Sequence, residues 1–300
     1  MKIVIHGGAG VIRKEKLTPV QIARYHETLK EALRAGYTLL KNHQSAIDAV
    51  EAAVKVMEDS PLFNAGKGSV LTSENTVETD AAIMDGKTLN CGAVATVQGV
   101  KNPVVLARKV MENSKHVLLS GKGAQAFAEN QKIQLVSQEY FITETRKRQL
   151  QEAKAKNQLN LDHSDDKYGT VGAVALDISG NLAAATSTGG MTNKQFGRIG
   201  DSPLIGAGTY ANDTVAVSCT GIGELFIKHV VAYDVAARIK YENTTLEDAA
   251  NHIIFNVLPE SSGGLVAADK NGNIVMPYNT EGMFRGFADD KTLKTFIWEE

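Results

Sequence analysis

Residues 170–191 read TVGAVALDISGNLAAATSTGGM, and residues 264–283 read GLVAADKNGNIVMPYNTEGM. Laid on Gly172–Met191 without a gap, the second stretch repeats valine, alanine, aspartate, a Gly-Asn pair, threonine and a closing Gly-Met in register. A small apolar run, a turn built from Asp and Gly-Asn, and a return run spell a β-hairpin. Two hairpins of one construction predict related places in antiparallel sheets. Between them, Ile222–Tyr241 and Leu246–Val257 have helical spacing, the latter opened by a Thr244-x-x-Glu247 capping box.

Outward from the hairpins, the first half has the same grammar. Lys2–Ile5 is a short apolar strand entering the glycine-rich His6–Gly10. Thr18-Pro19-Val20-Gln21 combines a capping box with proline at the first helical position. Ile22, Tyr25, Leu29, Leu33, Gly36 and Leu40 follow on one face, and a second helix opens at Ser45 with Asp48 three residues on. Its face of Ala46, Ala49, Val50, Ala53, Val54 and Met57 is small enough to lie close against a sheet. Strands Thr76–Met84 and Thr88–Val97 are joined at Asp85-Gly86, and helices Pro103–Glu112 and Gly121–Asn130 follow. The predicted class is α+β: two stacked antiparallel sheets with helices outside, an αββα sandwich.

Immediately before Thr170 the character changes. Arg146–Lys167, RKRQLQEAKAKNQLNLDHSDDK, has three leucines as its only large apolar residues and is expected to be a mobile linker or a frayed helix. A loose tract therefore meets a rigid strand at Gly169-Thr170. Gly169 places no side chain before its own carbonyl, and Thr170 supplies a hydroxyl beside it. An N→O acyl shift followed by hydrolysis would free the Thr170 α-amine, whose usual pKa of about 8 suits it as base for its own hydroxyl. A Gly-Thr dipeptide alone carries almost no specificity and reads first as an ordinary loop-to-strand junction.

Composition narrows the classes. A chain of 300 residues, 43% hydrophobic and 22% charged, is that of a globular protein. Its net charge of −2 argues against a nucleic-acid binder, and the basic run Arg146-Lys147-Arg148 is interleaved with acids and amides. No stretch approaches the roughly 20 apolar residues of a membrane span. The apolar run after Met1 ends at His6, too short for a secretory signal, so a cytoplasmic location is expected. Cys91 and Cys219 read as core thiols rather than a disulfide. His6–Gly10 lacks the third glycine of a dinucleotide loop, and Gly66-Lys67-Gly68-Ser69 lacks the spacing of a phosphate loop. The seven histidines make no metal pattern.

Several motifs in order point to one family. Thr170–Met191 with Asn193, Gly197, Arg198, Gly200, Asp201, Ser202 and Pro203 resembles the plant-type L-asparaginases, also called isoaspartyl peptidases, of the N-terminal-nucleophile hydrolases. His6–Gly10, Pro61–Gly66, Ser218–Glu224 and Asn279–Met283 extend the resemblance over nearly the whole chain. It implies autocleavage between Gly169 and Thr170, giving parts 1–169 and 170–300 of one globular domain, with about 146–169 as linker. It implies that Gly8 and Gly10 pack beside the site, that Asn64 positions the scissile region, and that Thr188 tunes Thr170. An Asx-turn is the alternative for Asn64, and Thr186 the competitor of Thr188. Arg198 would grip the substrate α-carboxylate and Asp201 its α-ammonium; spacing alone makes the two a surface ion pair. Thr220 and Gly221 would form the oxyanion hole, with Gly223 touching substrate and the following helix N-terminus favouring negative charge. The resemblance further implies a structural sodium on main-chain oxygens of Glu58, Ser60, Phe63, Ala65 and Lys67, no cofactor for catalysis, and pairing of two cleaved units, (αβ)2. The expected substrates are L-asparagine and β-aspartyl dipeptides. A glycosylasparaginase, a silent aspartate-binding module and a threonine protease for larger proteins are the competing readings.

Overall fold

The computed structural model describes residues 1–156 and 169–299. Its strands are β1 (Lys2–Gly10), β2 (Thr79–Asp85), β3 (Cys91–Val97), β4 (Leu118–Ser120), β5 (Val171–Leu176), β6 (Leu182–Thr188), β7 (Thr209–Ala211), β8 (Val215–Gly221), β9 (Gly263–Asp269), β10 (Ile274–Val275), β11 (Gly282–Ala288) and β12 (Leu293–Phe296). Its helices are α1 (Pro19–Lys41), α2 (Ala46–Glu58), α3 (Pro103–Asn113), α4 (Gly121–Asn130), α5 (Gln138–Phe141), α6 (Glu144–Ala155), α7 (Gly223–Lys228), α8 (Val231–Ala237) and α9 (Leu246–His252).

One sheet has eight strands in the order β12-β11-β1-β5-β6-β2-β3-β4, and the other four in the order β10-β9-β8-β7. Pairing is antiparallel throughout except β3 with β4. Alternation along each strand sorts the core into layers. Ile3, Ile5, Ala173, Ala175, Ala183 and Ala185 face α1–α3. Val4, Val174, Ala184, Ala216, Val266 and Ala268 fill the space between the sheets. Val215, Val217, Cys219, Leu265 and Ala267 face α8 and α9. The expected αββα sandwich is present.

Both helix-start signals of the first half are realised, since Thr18 with Gln21 and Ser45 with Asp48 form complete capping boxes. All six small residues expected on the inner face of α2 are buried. The two repeated hairpins turn alike. Asp177 Oδ1 accepts from the Ser179 and Asn181 N–H groups, both at 2.9 Å, and Asp269 Oδ1 accepts from Asn271 and Asn273 at 2.9 and 2.8 Å. Both cysteines are free, Cys219 buried and Cys91 half-buried.

Several expectations are corrected. His6–Gly10 is not a loop, because β1 continues to Gly10 through a register shift between His6 and Gly8. The strands expected from Thr76 and Thr88 begin at Thr79 and Cys91. The helix expected over Ile222–Tyr241 breaks at Val230, whose φ of +48° cannot continue a right-handed helix. The cap of α9 is Thr245, which accepts from Asp248 N–H, one residue later than expected. Of the two expectations for the tract from Arg146, a helix is what its start forms, as α6, but that helix is packed, with Arg146, Leu150 and Ala153 buried on one stripe and Arg146 Nε donating to the Gly68 carbonyl at 2.6 Å. The rest of the expected linker, 157–168, lies outside the described residues. Among the described residues no helix is long and apolar enough to cross a membrane.

Candidate active site

The inter-sheet layer changes chemistry towards one end. Along β1 the inward residues run from Val4 to His6; from β5 back to its start, from Val174 through Gly172 to Thr170. Along β6 they run from Ala184 through Thr186 to Thr188, and along β8 from Ala216 through Ser218 to Thr220. An apolar core thus becomes a layer of hydroxyls where these strands end. Thr170, one residue before β5, is only 7% exposed, and its Oγ1 donates to Thr188 Oγ1 at 3.0 Å. Thr188 Oγ1 also accepts from Gly190 N–H at 3.0 Å. The hydroxyl proton of Thr170 is therefore already aimed at an acceptor.

These residues line a cavity with Gly169, Gly190, Met191, Arg198, Gly200, Asp201, Ser202, Gly221, Ile222 and Gly223. Its volume of ≈ 20 Å³ admits about one water molecule. Gly169 forms part of its wall. Behind Gly169 sits Gly8, with φ +111°, where a Cβ would come within 2.6–2.8 Å of the Gly169 backbone. Only glycine permits that approach.

Arg198 and Asp201 both reach the cavity but are not joined as a surface pair. The Arg198 guanidinium donates in bidentate fashion to Glu224, Nε to Oε1 at 2.8 Å and Nη2 to Oε2 at 2.9 Å. Its Nη1 lies against Gly190 and Gly200. Asp201 is buried, with no hydrogen-bond partner on Oδ2 among the described residues, and burial pushes its carboxyl up to about 7. A buried acceptor left open beside a guanidinium suits a cationic group arriving from outside.

Thr220 is fully buried and does not line the cavity, its Oγ1 accepting from Ala9 N–H at 3.2 Å, while the neighbouring Gly221 lies in the wall. The helix that follows has only six residues, so its dipole is weaker than a long helix would offer. Asn64 is not in an Asx-turn. Its Oδ1 accepts from Val70 N–H at 2.9 Å and its Nδ2 donates to the Gly190 carbonyl at 2.7 Å, tying the loop after Thr188 to the segment after α2. Thr186 shares the inner face of β6 with Thr188 but points at Ser218 and Thr209.

The segment Glu58–Lys67 curls on itself. The Glu58 carbonyl accepts from Lys67 N–H at 2.7 Å, and a Cβ on Gly68 would sit 2.7–2.8 Å from the carbonyl oxygens of Pro61 and Phe63. Carbonyls so gathered are the right donor chemistry for a hard cation. Among the described residues no group of three or more His, Cys, Asp or Glu could hold a metal.

A model of the asparaginase family matches residues 1–297. The chain belongs to that family. Among asparaginase relatives, the isoaspartyl peptidase of Escherichia coli K12 is 50% identical, with 99% of this chain and 96% of that protein covered. A plant-type L-asparaginase of Thermococcus kodakarensis is 45% identical with 96% of each covered, and a probable isoaspartyl peptidase/L-asparaginase of Arabidopsis thaliana is 41% identical with 99% and 98% covered.

Two parts of this asparaginase-family site were not legible beforehand. Glu224 stood inside a quoted motif without a role, and nothing in its distance along the chain from Arg198 signals the pairing. His6 was one of seven scattered histidines, yet its Nδ1 lies 3.1 Å from the Thr170 carbonyl.

Proposed function

We propose that this member of the asparaginase family hydrolyses the side-chain amide of L-asparagine and the β-linked amide of isoaspartyl dipeptides, with Thr170 as nucleophile. The observation that carries the reading is the Thr170–Thr188 hydroxyl contact in a cavity walled by Gly169 on one side and by Arg198 and Asp201 on another.

Maturation comes first. Thr170 Oγ1, giving its proton towards Thr188, attacks the Gly169 carbonyl; the C–N bond breaks as that proton passes on to the Thr170 nitrogen and the ester forms, and water hydrolyses the ester to a Gly169 carboxylate and the restored Thr170 hydroxyl. Residues 1–169 and 170–300 then remain packed together, and the space held by the Gly169 end becomes available to substrate. The cavity of ≈ 20 Å³ in the uncut chain is too small for asparagine, which accords with an enzyme closed by its own backbone.

In turnover the freed α-amine takes the hydroxyl proton as Oγ1 attacks the substrate amide carbon. The Thr220 hydroxyl and Gly221 N–H receive the developing oxyanion, a contribution of roughly 3–4 kcal/mol per donor in other hydrolases. The proton passes to the departing nitrogen, ammonia or an amine leaves, and water attacks the acyl-Thr170 ester to release aspartate. Arg198 holds the α-carboxylate and Asp201 the α-ammonium, so only a substrate with a free aspartyl head group is aligned. Gly223, behind both side chains, leaves room for that group. Asn64 keeps the Gly189–Gly190 loop in place. The carbonyls of Glu58, Ser60, Phe63, Ala65 and Lys67 would hold sodium as a purely structural ion, and two cleaved units would assemble as (αβ)2.

The test is denaturing mass analysis of fresh and incubated protein beside Thr170→Ala, followed by assays on L-asparagine, a β-aspartyl dipeptide and its α-linked isomer. Two fragments, the smaller beginning at Thr170 and absent in the variant, with turnover of the first two substrates alone, is the expected result. Full turnover by an uncut chain, or by Thr170→Ala, would overturn it.

A further inference from the structure

Beneath Thr170 a chain of buried side chains runs across the inter-sheet space, one layer below the nucleophile. His6 Nδ1 meets the Thr170 carbonyl at 3.1 Å and His6 Nε2 meets Ser218 Oγ at 2.9 Å. Ser218 Oγ lies 2.7 Å from Thr186 Oγ1, and Thr209 Oγ1 lies 2.6 Å from Thr186 Oγ1 and 3.0 Å from the Ser202 carbonyl. His6, Thr186, Thr209 and Ser218 are all fully buried. Gly172 gives the chain its passage, since a Cβ there would lie 2.0 Å from Ser218 Oγ and 2.4 Å from His6 Nε2.

The protons of this chain have one consistent direction. A carbonyl can only accept, so His6 carries its proton on Nδ1 and donates to Thr170. Nε2 must then accept, which makes the Ser218 hydroxyl its donor. Ser218 in turn accepts from Thr186, and Thr186 from Thr209. Longer contacts to the Ala185, Gly208 and Ser202 carbonyls, 3.3, 3.2 and 3.0 Å, compete with these bonds for the protons of Ser218, Thr186 and Thr209, and in each case the bond along the chain is the shorter. Burial drives the imidazole pKa down to about 3, so the ring is neutral across ordinary pH.

The contact matters because of where Thr170 stands. Pairing of β1 with β5 ends at His6 opposite Gly172, and β1 then shifts register. Thr170 lies beyond that last pair, so the imidazole supplies its carbonyl with the donor that the departing strand does not. Once the peptide to Gly169 is cut, no upstream chain holds residue 170. Its amine and hydroxyl are then aimed by two tethers, the Thr188 contact on the side chain and the His6 contact on the carbonyl.

Resting on the reading of Thr170 as nucleophile, we propose that the His6–Ser218–Thr186–Thr209 chain is a positioning device for that residue, with His6 acting through geometry and not as an acid or base. The relay ends at Thr209, the first residue of β7, so it ties the aim of the nucleophile to the second sheet.

Thr186→Val keeps the shape and removes the hydroxyl in the middle of the chain; Thr186→Ser restores the hydroxyl and loses a methyl. With matured enzyme and L-asparagine, Thr186→Val is expected to lower kcat by about 10- to 100-fold with KM within about twofold, and Thr186→Ser to recover most of that loss. Self-cleavage should slow in the same order. Wild-type kcat in Thr186→Val, or a loss that Thr186→Ser does not recover, overturns the proposal. A second measurement needs no variant: nitrogen-15 spectra of the histidine rings should contain a neutral ring protonated on Nδ1 from pH 5 to 8, assigned to His6 by its loss in His6→Gln. A His6 ring that titrates in that range, or is protonated on Nε2, overturns the proposal as well. Thr170→Ala separates the two readings. If it still turns over asparagine, the nucleophile assignment fails and the relay falls with it; if it is inactive while Thr186→Val is normal, only the relay fails.

Discussion

The hairpin β5–β6 and the hairpin β9–β10 share a turn, and their openings and closings differ. Asp177 with Asn181 and Asp269 with Asn273 make matching bonds, down to the amide side chain returned to Oδ2 at 3.2 and 2.7 Å. In the repeat alignment Ser262 stands where Thr170 does, and Thr280 where Thr188 does. Yet Ser262 Oγ donates back to the Pro259 carbonyl, and Thr280 Oγ1 to the Gly282 carbonyl at 3.0 Å. Only in the first hairpin do the two hydroxyls face each other. Pro277 is one cause: it stands where β6 has Ala185, lacks an N–H for the ladder, and follows a return strand of two residues, Ile274–Val275. The lesson is that one turn can fix two hairpins while the strand beyond it decides whether the ends meet.

The largest contrast should appear when each opening hydroxyl is removed. Thr170→Ala is expected to abolish self-cleavage and to lower turnover by more than about 10⁴-fold. Ser262→Ala should leave kcat/KM within about twofold and cost about 1 kcal/mol of stability, the worth of one hydrogen bond. Amide hydrolysis in Thr170→Ala, or a dead Ser262→Ala that folds and self-cleaves normally, would break the comparison.

A smaller effect follows from the charge that faces only the first hairpin. Asp201, with its carboxyl pushed up to about 7 by burial, must be ionised to receive an ammonium. Affinity should therefore fall as pH drops below 7, with KM rising about tenfold by pH 6 and binding at that pH releasing a proton, seen by calorimetry in two buffers. Stability runs the other way. A carboxyl raised above its usual 3.8 stabilises fully below that value and loses the contribution as pH rises through 7, so Asp201→Asn should flatten that decline in Tm.

The smallest expected contrast lies in the shared turn itself. Asp177→Ala and Asp269→Ala should each cost about 1–2 kcal/mol in urea unfolding, since each removes the acceptor shared by two turn N–H groups that water can reach. Asp177→Ala should cost more, because Asp177 Oδ2 also accepts from Ala46 N–H at 3.3 Å at the start of α2. Equal losses would mean that the turn alone sets the cost.

Much of this was legible in the residues. The six-residue face of α2, both capping boxes of the first half and both Asp/Gly-Asn turns follow from local chemistry and stand as read. The buried stripe of α6 was not. Its charged composition hides a stripe at Arg146, Leu150 and Ala153, which packs because Leu150 joins Leu71, Val77 and Phe141, residues distant in the chain. The partner of Arg198 was likewise hidden, since the spacing offered Asp201 and the fold presents Glu224. An ion pair between segments depends on where helices begin, and α7 begins at Gly223 only because β8 delivers it there.

By itself, then, the sequence determined the alternation that separates three core layers, the turns that close the hairpins, and the hydroxyl at position 170 beside a glycine. These are properties of neighbours within a few residues, where propensity and periodicity act directly. The tertiary structure alone decided that Thr188 and not Thr280 has an opening hydroxyl opposite it, that Asp201 Oδ2 has no hydrogen-bond partner among the described residues, and that His6 reaches the carbonyl of Thr170. Each depends on register between strands far apart in the chain, which is set by the packing of whole sheets and is written in no single motif.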